Sequence, residues 1–130
     1  MHPDLAAKLL AWLPSQLPEA LMWLERMVGI NSFTANPHGV NKVGALTAEC
    51  FAELGFQAES VPSMDATYGS HLFLRRNASA RPPVVLVTHL YTVFPQEEEE
   101  RNAFRWQPAP DEERIYGPGT VDIKGGTMLI

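Results

Sequence analysis

The segment from residue 84 to residue 89 constrains the possible folds most. It reads Val-Val-Leu-Val-Thr-His and follows Pro82 and Pro83. A continuous β-branched and aliphatic segment of this length is typical of a strand that is buried on both faces, as in the sheet of an α/β protein. The sequence therefore predicts a central strand over residues 84–89, with His89 at its carboxyl end.

Three helices are predicted before this strand. The first ends at Pro14, the second begins at Pro18 and ends before Gly29, and the third covers residues 40–54. Gly55 is expected to form the left-handed C-terminal cap of the third helix. The residues predicted to line the core faces of the first two helices are Leu5, Leu9, Trp12, Leu13, Leu21, Trp23, Leu24, Met27 and Val28.

Strand patterns follow Gly55. Residues 56–61 and 71–75 are predicted as short strands separated by a turn-rich segment, and residues 115–116 as another short strand. Asp122 lies at the entry to a further helix, which leads into the apolar residues 127–130. Helices followed by strands, with a central apolar strand, predict a layered α/β fold containing a mixed sheet.

Charge argues against two classes of partner. The chain has 15 acidic and 10 basic residues and a formal net charge of −5, which gives no reason to expect binding to nucleic acid or to an anionic membrane. The four glutamates at positions 97–100 are predicted to form a solvated loop rather than a site.

A cytoplasmic location is expected. The single cysteine, Cys50, excludes an internal disulfide framework and is predicted to be a small buried apolar residue. Residues 1–14 lack the basic leader and cleavage site of a signal peptide. No apolar segment approaches the roughly 20 residues that a membrane-spanning helix needs.

His89 and Asp122 are the candidate metal ligands. Ligands of open α/β sheets bind at the carboxyl ends of the strands, where His89 is predicted to lie. Asp122 begins the next strand–turn–helix unit, so its carboxylate can reach the same edge. Imidazole nitrogen and carboxylate oxygen are both ordinary zinc ligands. One histidine and one aspartate far apart in sequence are, by themselves, a weak signal.

The sequences around these two residues resemble a known family. Residues 84–95 read Val-Val-Leu-Val-Thr-His-Leu-Tyr-Thr-Val-Phe-Pro, residues 104–106 read Phe-Arg-Trp, and residues 116–126 read Tyr-Gly-Pro-Gly-Thr-Val-Asp-Ile-Lys-Gly-Gly. They resemble the N-terminal part of the di-zinc peptidases that include glutamate carboxypeptidases, acetylornithine deacetylases, succinyl-diaminopimelate desuccinylases and aminoacylases. The resemblance covers essentially the whole chain and implies that residues 1–130 are the N-terminal portion of a catalytic domain, truncated after Ile130.

The resemblance implies a zinc-dependent hydrolase that cleaves peptide or N-acyl amino acid amide bonds. His89 matches a ligand of one zinc ion, and Asp122 matches an aspartate that bridges two. Within this family, the sequence His-Leu-x-Thr-Val-Phe-Pro favours the glutamate-carboxypeptidase branch. The resemblance therefore implies a substrate that carries a free carboxylate. The family's other ligands and its general base lie beyond this chain. We therefore expect residues 1–130 alone to be inactive and to bind zinc weakly, and a full-length form to be a homodimer.

Tyr91 departs from the family pattern, which has aspartate two residues after the histidine. Side chains at i and i+2 of a strand lie on the same side, so an aspartate there can accept the second N–H of the ligand histidine. Three interpretations stay open: a damaging change in a degenerate product, an adapted residue in a diverged protein, or a sequencing change. The alternative function is accordingly a truncated or degenerate non-catalytic relative, acting at most as an interaction module.

Overall fold

The chain is a mixed α/β protein. The computed structural model describes residues 3–76, 82–111 and 113–130. The helices are α1 (Pro3–Val28), α2 (Pro37–Ala52), α3 (Gln96–Arg101) and α4 (Lys124–Met128), and the strands are β1 (Gln57–Val61), β2 (His71–Arg75), β3 (Gln107–Pro108) and β4 (Ile115–Tyr116).

The first two predicted helices are one continuous helix, so the predicted break at Pro14 is wrong. Helix α1 contains both Pro14 and Pro18 in its interior. The ring of proline fixes φ close to the helical value, and the cost of its missing N–H can be outweighed by neighbours that favour helix. Between the two prolines, the Ser15 hydroxyl donates to the Trp12 carbonyl over 2.6 Å.

Helix α2 is delimited by local interactions at both ends. The Asn36 side chain accepts a hydrogen bond from the Gly39 N–H over 3.0 Å, and Pro37 occupies the first turn. At the other end, the N–H of Gly55 donates to the Ala52 carbonyl and the N–H of Phe56 to that of Phe51. This pair of bonds, with Gly55 at φ +81°, is a Schellman motif. The predicted cap at Gly55 is confirmed.

The hydrophobic core lies between the C-terminal half of α1 and α2. Its centre is formed by Trp23, Met27 and Leu46. Cys50 packs half-buried against this cluster, and burial raises the pKa of its thiol, with the carboxylate of Glu53 acting in the same direction. Four residues of the N-terminal half were predicted to face the core, and all are exposed: Leu5 by 50%, Leu9 by 43%, Trp12 by 53% and Leu13 by 54%. Their predicted place in the core is therefore wrong. The N-terminal half of α1 is mostly exposed because, along the described chain, it has little to pack against.

The strands form two separate ribbons. β1 pairs antiparallel with β2, in the register that places Glu59 opposite Phe73, and β3 pairs antiparallel with β4. The predicted strands at residues 71–75 and 115–116 are confirmed, and the one at residues 56–61 is confirmed from Gln57. Within the described ranges these ribbons do not join into the expected mixed sheet, and the layered domain stays a prediction.

The prediction of a central strand at residues 84–89 is wrong within the described residues. These residues are not part of a strand, and Val84 and Val87 are 86% and 88% exposed. A strand requires a neighbouring backbone, and none of the described residues supplies one beside this segment. Pairing begins only at Thr92, which forms a parallel bridge with Phe33.

The bridge at Thr92 fixes the end of this extended segment. The Thr92 N–H donates to the Ser32 carbonyl over 2.8 Å, and the Thr34 N–H donates to the Thr92 carbonyl over 3.0 Å. Residues 82–92 are therefore attached to the loop between α1 and α2 at one end. None of the helices in the described ranges is long and apolar enough to cross a membrane.

Replacing Gly39 with alanine is expected to destabilise the protein strongly. A Cβ atom at this position would lie 1.9 Å from the Asn31 carbonyl oxygen and 2.7 Å from Asn36 Nδ2. We expect Gly39→Ala to lower the free energy of unfolding by about 3 kcal/mol in urea denaturation. Gly29→Ala is the matched control, since its Cβ would meet only ordinary contacts at 3.6 Å. Equal stability of the two variants would contradict this account of α2.

Candidate metal centre

The side chains of His89 and Asp122 lie next to each other. His89 Nε2 and Asp122 Oδ1 are 3.1 Å apart, although the two residues are 33 positions apart in sequence. Asp122 is 80% exposed and His89 is 32% exposed, so the pair faces solvent on one side. The structure thus brings together the two residues that the sequence singled out.

Both ring nitrogens of His89 face oxygen atoms that accept hydrogen bonds. Nδ1 lies 2.8 Å from the backbone carbonyl oxygen of Tyr91, and Nε2 faces the Asp122 carboxylate. A neutral imidazole carries only one N–H and can satisfy only one of these acceptors. A cation at Nε2, whether a proton or a metal ion, satisfies the second. This arrangement therefore suits cation binding between Nε2 and Asp122.

Tyr91 contacts His89 through its backbone and through its ring. The carbonyl of Tyr91 is the partner of Nδ1, whereas the family pattern has a side chain, that of aspartate, in this function. The phenol ring stacks on the imidazole, with ring centroids 4.5 Å apart and planes inclined by 29°. A backbone carbonyl is a common partner of the second nitrogen in ligand histidines, and it fixes the tautomer as a carboxylate would.

Asp122 is carried by a tight turn between β4 and α4. The N–H and hydroxyl of Thr120 both donate to the Gly117 carbonyl, and the Gly125 N–H donates to the Gly119 carbonyl over 3.1 Å. Gly119 has φ +83°, and a Cβ on Gly125 would lie 2.0 Å from the Thr120 carbonyl oxygen. Gly119 and Gly125 therefore serve the backbone of the turn.

Lys124 is a buried cation beside this turn, and the sequence analysis missed its importance. It is 2% exposed, and its Nζ donates to the Ile30 carbonyl over 2.8 Å. Burial lowers the pKa of its ammonium to about 8, and the nearby Glu99 carboxylate opposes that shift. A single lysine next to two glycines has no sequence pattern that distinguishes it from an exposed one.

Glu99 is the second charged residue that the sequence analysis misjudged. The four glutamates at positions 97–100 all lie within helix α3, so the predicted loop is wrong. Glu99 is half-buried, and within the described chain its Oε1 atom has no hydrogen-bond partner. Burial raises the pKa of its carboxyl group, while the side chain of Asn31 and the charge of Lys124 lower it.

The geometry of the His89–Asp122 pair fits two adjacent positions of a zinc site. Zinc–nitrogen and zinc–oxygen bonds of about 2.0–2.1 Å in a tetrahedron place neighbouring ligand atoms roughly 3.3 Å apart. The observed separation is 3.1 Å. In the parts of the chain that the structure describes, no third histidine, cysteine or acidic residue joins the pair. His38 and His71 are exposed, and His2 lies outside the described residues.

The chain is distantly similar to a known enzyme. No protein-family model matches the chain. The chain is 25% identical over 113 residues to carboxypeptidase G2 of Pseudomonas sp. (strain RS-16). The match includes 87% of this chain and 26% of that protein, so the chain spans about a quarter of its relative's length. The mixed α/β chain is thus distantly similar to a hydrolase.

Burial of Lys124 predicts a rise in stability at alkaline pH. Its pKa is about 8 in the folded protein against 10.5 ordinarily, so between these values the unfolded chain holds the extra proton and folding becomes more favourable as pH increases. The gain is at most about 3 kcal/mol. We expect Lys124→Met to remove this rise in metal-free denaturation curves measured from pH 7.5 to 10.5. Identical pH profiles for the two proteins would contradict the buried-cation assignment.

Proposed function

We propose that this chain is the N-terminal portion of the catalytic domain of a zinc-dependent hydrolase, in which His89 and Asp122 are metal ligands. The observation that carries this proposal is the 3.1 Å approach of Nε2 to Oδ1, with the other ring nitrogen bonded to a carbonyl. The similarity to carboxypeptidase G2 supports the reaction class. The chemistry is hydrolysis of a peptide or N-acyl amino acid amide bond.

Each of the two residues is suited to a different position in a two-zinc site. The bond from Nδ1 to the Tyr91 carbonyl leaves Nε2 of His89 as the coordinating atom. Asp122 presents two oxygens on a largely exposed side chain, so it can hold one cation beside His89 and a second on its other oxygen. Zinc, when bound, lowers the pKa of its water ligand and polarises the substrate carbonyl.

Further ligands and the general base are expected from regions that this chain does not contain. The chain covers about a quarter of its relative, and the described residues provide one pair of donors. The proposed substrate is a small peptide or N-acyl amino acid with a free carboxylate, and the proposed full-length form is a cytoplasmic homodimer. Nucleic acid and membrane are not proposed as partners, since the net charge is −5.

Tyr91 is one of the grounds for the non-catalytic alternative. If aspartate were the only residue able to orient His89, its replacement would favour a degenerate protein. The Nδ1 atom has an acceptor without it, because the Tyr91 carbonyl lies 2.8 Å away. Of the three interpretations, this contact favours an adapted residue, and it supports the hydrolase over the interaction module.

If His89 and Asp122 are metal ligands, substitution of either one should weaken metal binding. We expect the metal-free chain to bind Co²⁺ weakly, and His89→Ala and Asp122→Asn each to lower that affinity about tenfold or more, since each removes one of two donors. The measurement is a Co²⁺ titration followed by visible absorption, with Zn²⁺ competition. His71→Ala is the matched control, because His71 is exposed on β2. Unchanged affinity in both ligand variants would refute the proposal.

Restoring the family's aspartate at position 91 is predicted to have only a small effect on metal affinity. Because the carbonyl already accepts from Nδ1, Tyr91→Asp should change Co²⁺ affinity by less than about threefold, well below the 10–100-fold that such partners usually contribute. Tyr91→Phe keeps the stacking and the carbonyl, so its affinity should equal that of the wild type. A gain of about tenfold or more in Tyr91→Asp would show that the carboxylate is needed.

A further inference from the structure

Lys124 connects the turn that carries Asp122 to a distant part of the chain. Its ammonium donates to the carbonyl of Ile30, just beyond the end of α1 and 94 positions away in sequence. The end of a helix concentrates negative partial charge on its last carbonyls, which favours a cation nearby. Glu99 on α3 adds a second negative group close to the same ammonium.

The aliphatic part of Lys124 is enclosed between the two segments that form the candidate site. A Cβ atom on Gly119 would lie 2.9 Å from Lys124 Cδ and 3.2 Å from Thr92 Cγ2. Gly119 belongs to the turn that carries Asp122, and Thr92 ends the segment that carries His89. The Lys124 side chain therefore passes where these two segments meet.

A second contact joins the same segments. The hydroxyl of Thr88, directly before His89, lies 2.9 Å from the hydroxyl of Thr127 in α4. Lys124 and Thr127 are both on α4. This short helix therefore contacts both the segment that carries His89 and the turn that carries Asp122. The helix has only five residues.

Stability alone is a poor explanation for a lysine at this position. Burying an ammonium group is costly, and an apolar side chain of similar length would fill the same space without that cost. Thr127 and the partly buried Met128 already attach α4 to its surroundings. Lys124 lies two residues from Asp122. The cost of burying its charge is best explained if its side chain positions the turn that carries Asp122.

We infer that Lys124 is a positioning residue of the candidate metal centre: anchored on the Ile30 carbonyl, it holds the Asp122 turn at the distance from His89 that a shared metal ion requires. This inference rests on the proposed function. It differs from a ligand role, because the Lys124 ammonium is bonded to the Ile30 carbonyl. Without the anchor, α4 and the turn are expected to shift, and the separation of Nε2 and Oδ1 to increase.

The test compares Lys124→Met with Lys42→Met, a control at an exposed lysine on α2. In metal-free protein labelled with ¹⁵N at histidine, the Nε2 shift of His89 reports its contact with Asp122. We expect Lys124→Met to move this shift toward the value found in Asp122→Asn, and to weaken Co²⁺ binding about tenfold. The control should leave both measurements unchanged. A folded Lys124→Met protein with the wild-type shift would overturn the inference.

Two further results distinguish a failure of this inference from a failure of the proposed function. Lys124→Gln retains a donor for the Ile30 carbonyl, so it should restore part of the His89 shift. If neither variant folds, Lys124 is a folding residue and the inference is wrong. A wild-type protein that shows the His89–Asp122 contact but does not bind Co²⁺ would refute the proposed function, while the ring shifts would still test the role of Lys124.

Discussion

The loop between α1 and α2 anchors both segments of the candidate site. Its Ile30 carbonyl accepts from Lys124, and its Ser32 and Thr34 form the backbone bonds with Thr92. These contacts close loops of about 60 and 90 residues, whose entropic cost increases only slowly with length. One short loop thus places His89, through Thr92, and Asp122, through Lys124, in the same region.

Sequence reasoning succeeded where the determining residues are close together in the chain. The C-terminal cap of α2 at Gly55 and the strand at residues 71–75 depend on local turn chemistry and on short periodic patterns. It failed where distant partners decide. The prolines of α1 did not end the helix, and residues 84–89 lack a neighbouring strand among the described residues, so their apolar pattern alone did not produce one.

The candidate site was predictable in part for the same reason. His89 and Asp122 could be recognised because the sequences around them resemble those of a known family. The buried charge of Lys124 could not be predicted, because its hydrogen-bond partner, the Ile30 carbonyl, is 94 positions away in sequence. The acceptor for Nδ1 could not be predicted either, since every residue has a backbone carbonyl and the sequence does not show which one a side chain will reach.

The arrangement of His89 does not depend on a completed sheet. Its Nδ1 bonds to a carbonyl only two residues away, and its ring stacks on Tyr91, so both contacts form within the segment itself. The exposure of Val87 shows that the same segment lacks its sheet neighbours in the described chain. His89 is oriented nonetheless, and Asp122 reaches it through a turn that glycines and Lys124 hold. A ligand pair fixed in this way has less conformational freedom to lose when a metal ion binds, which favours binding even with few donors.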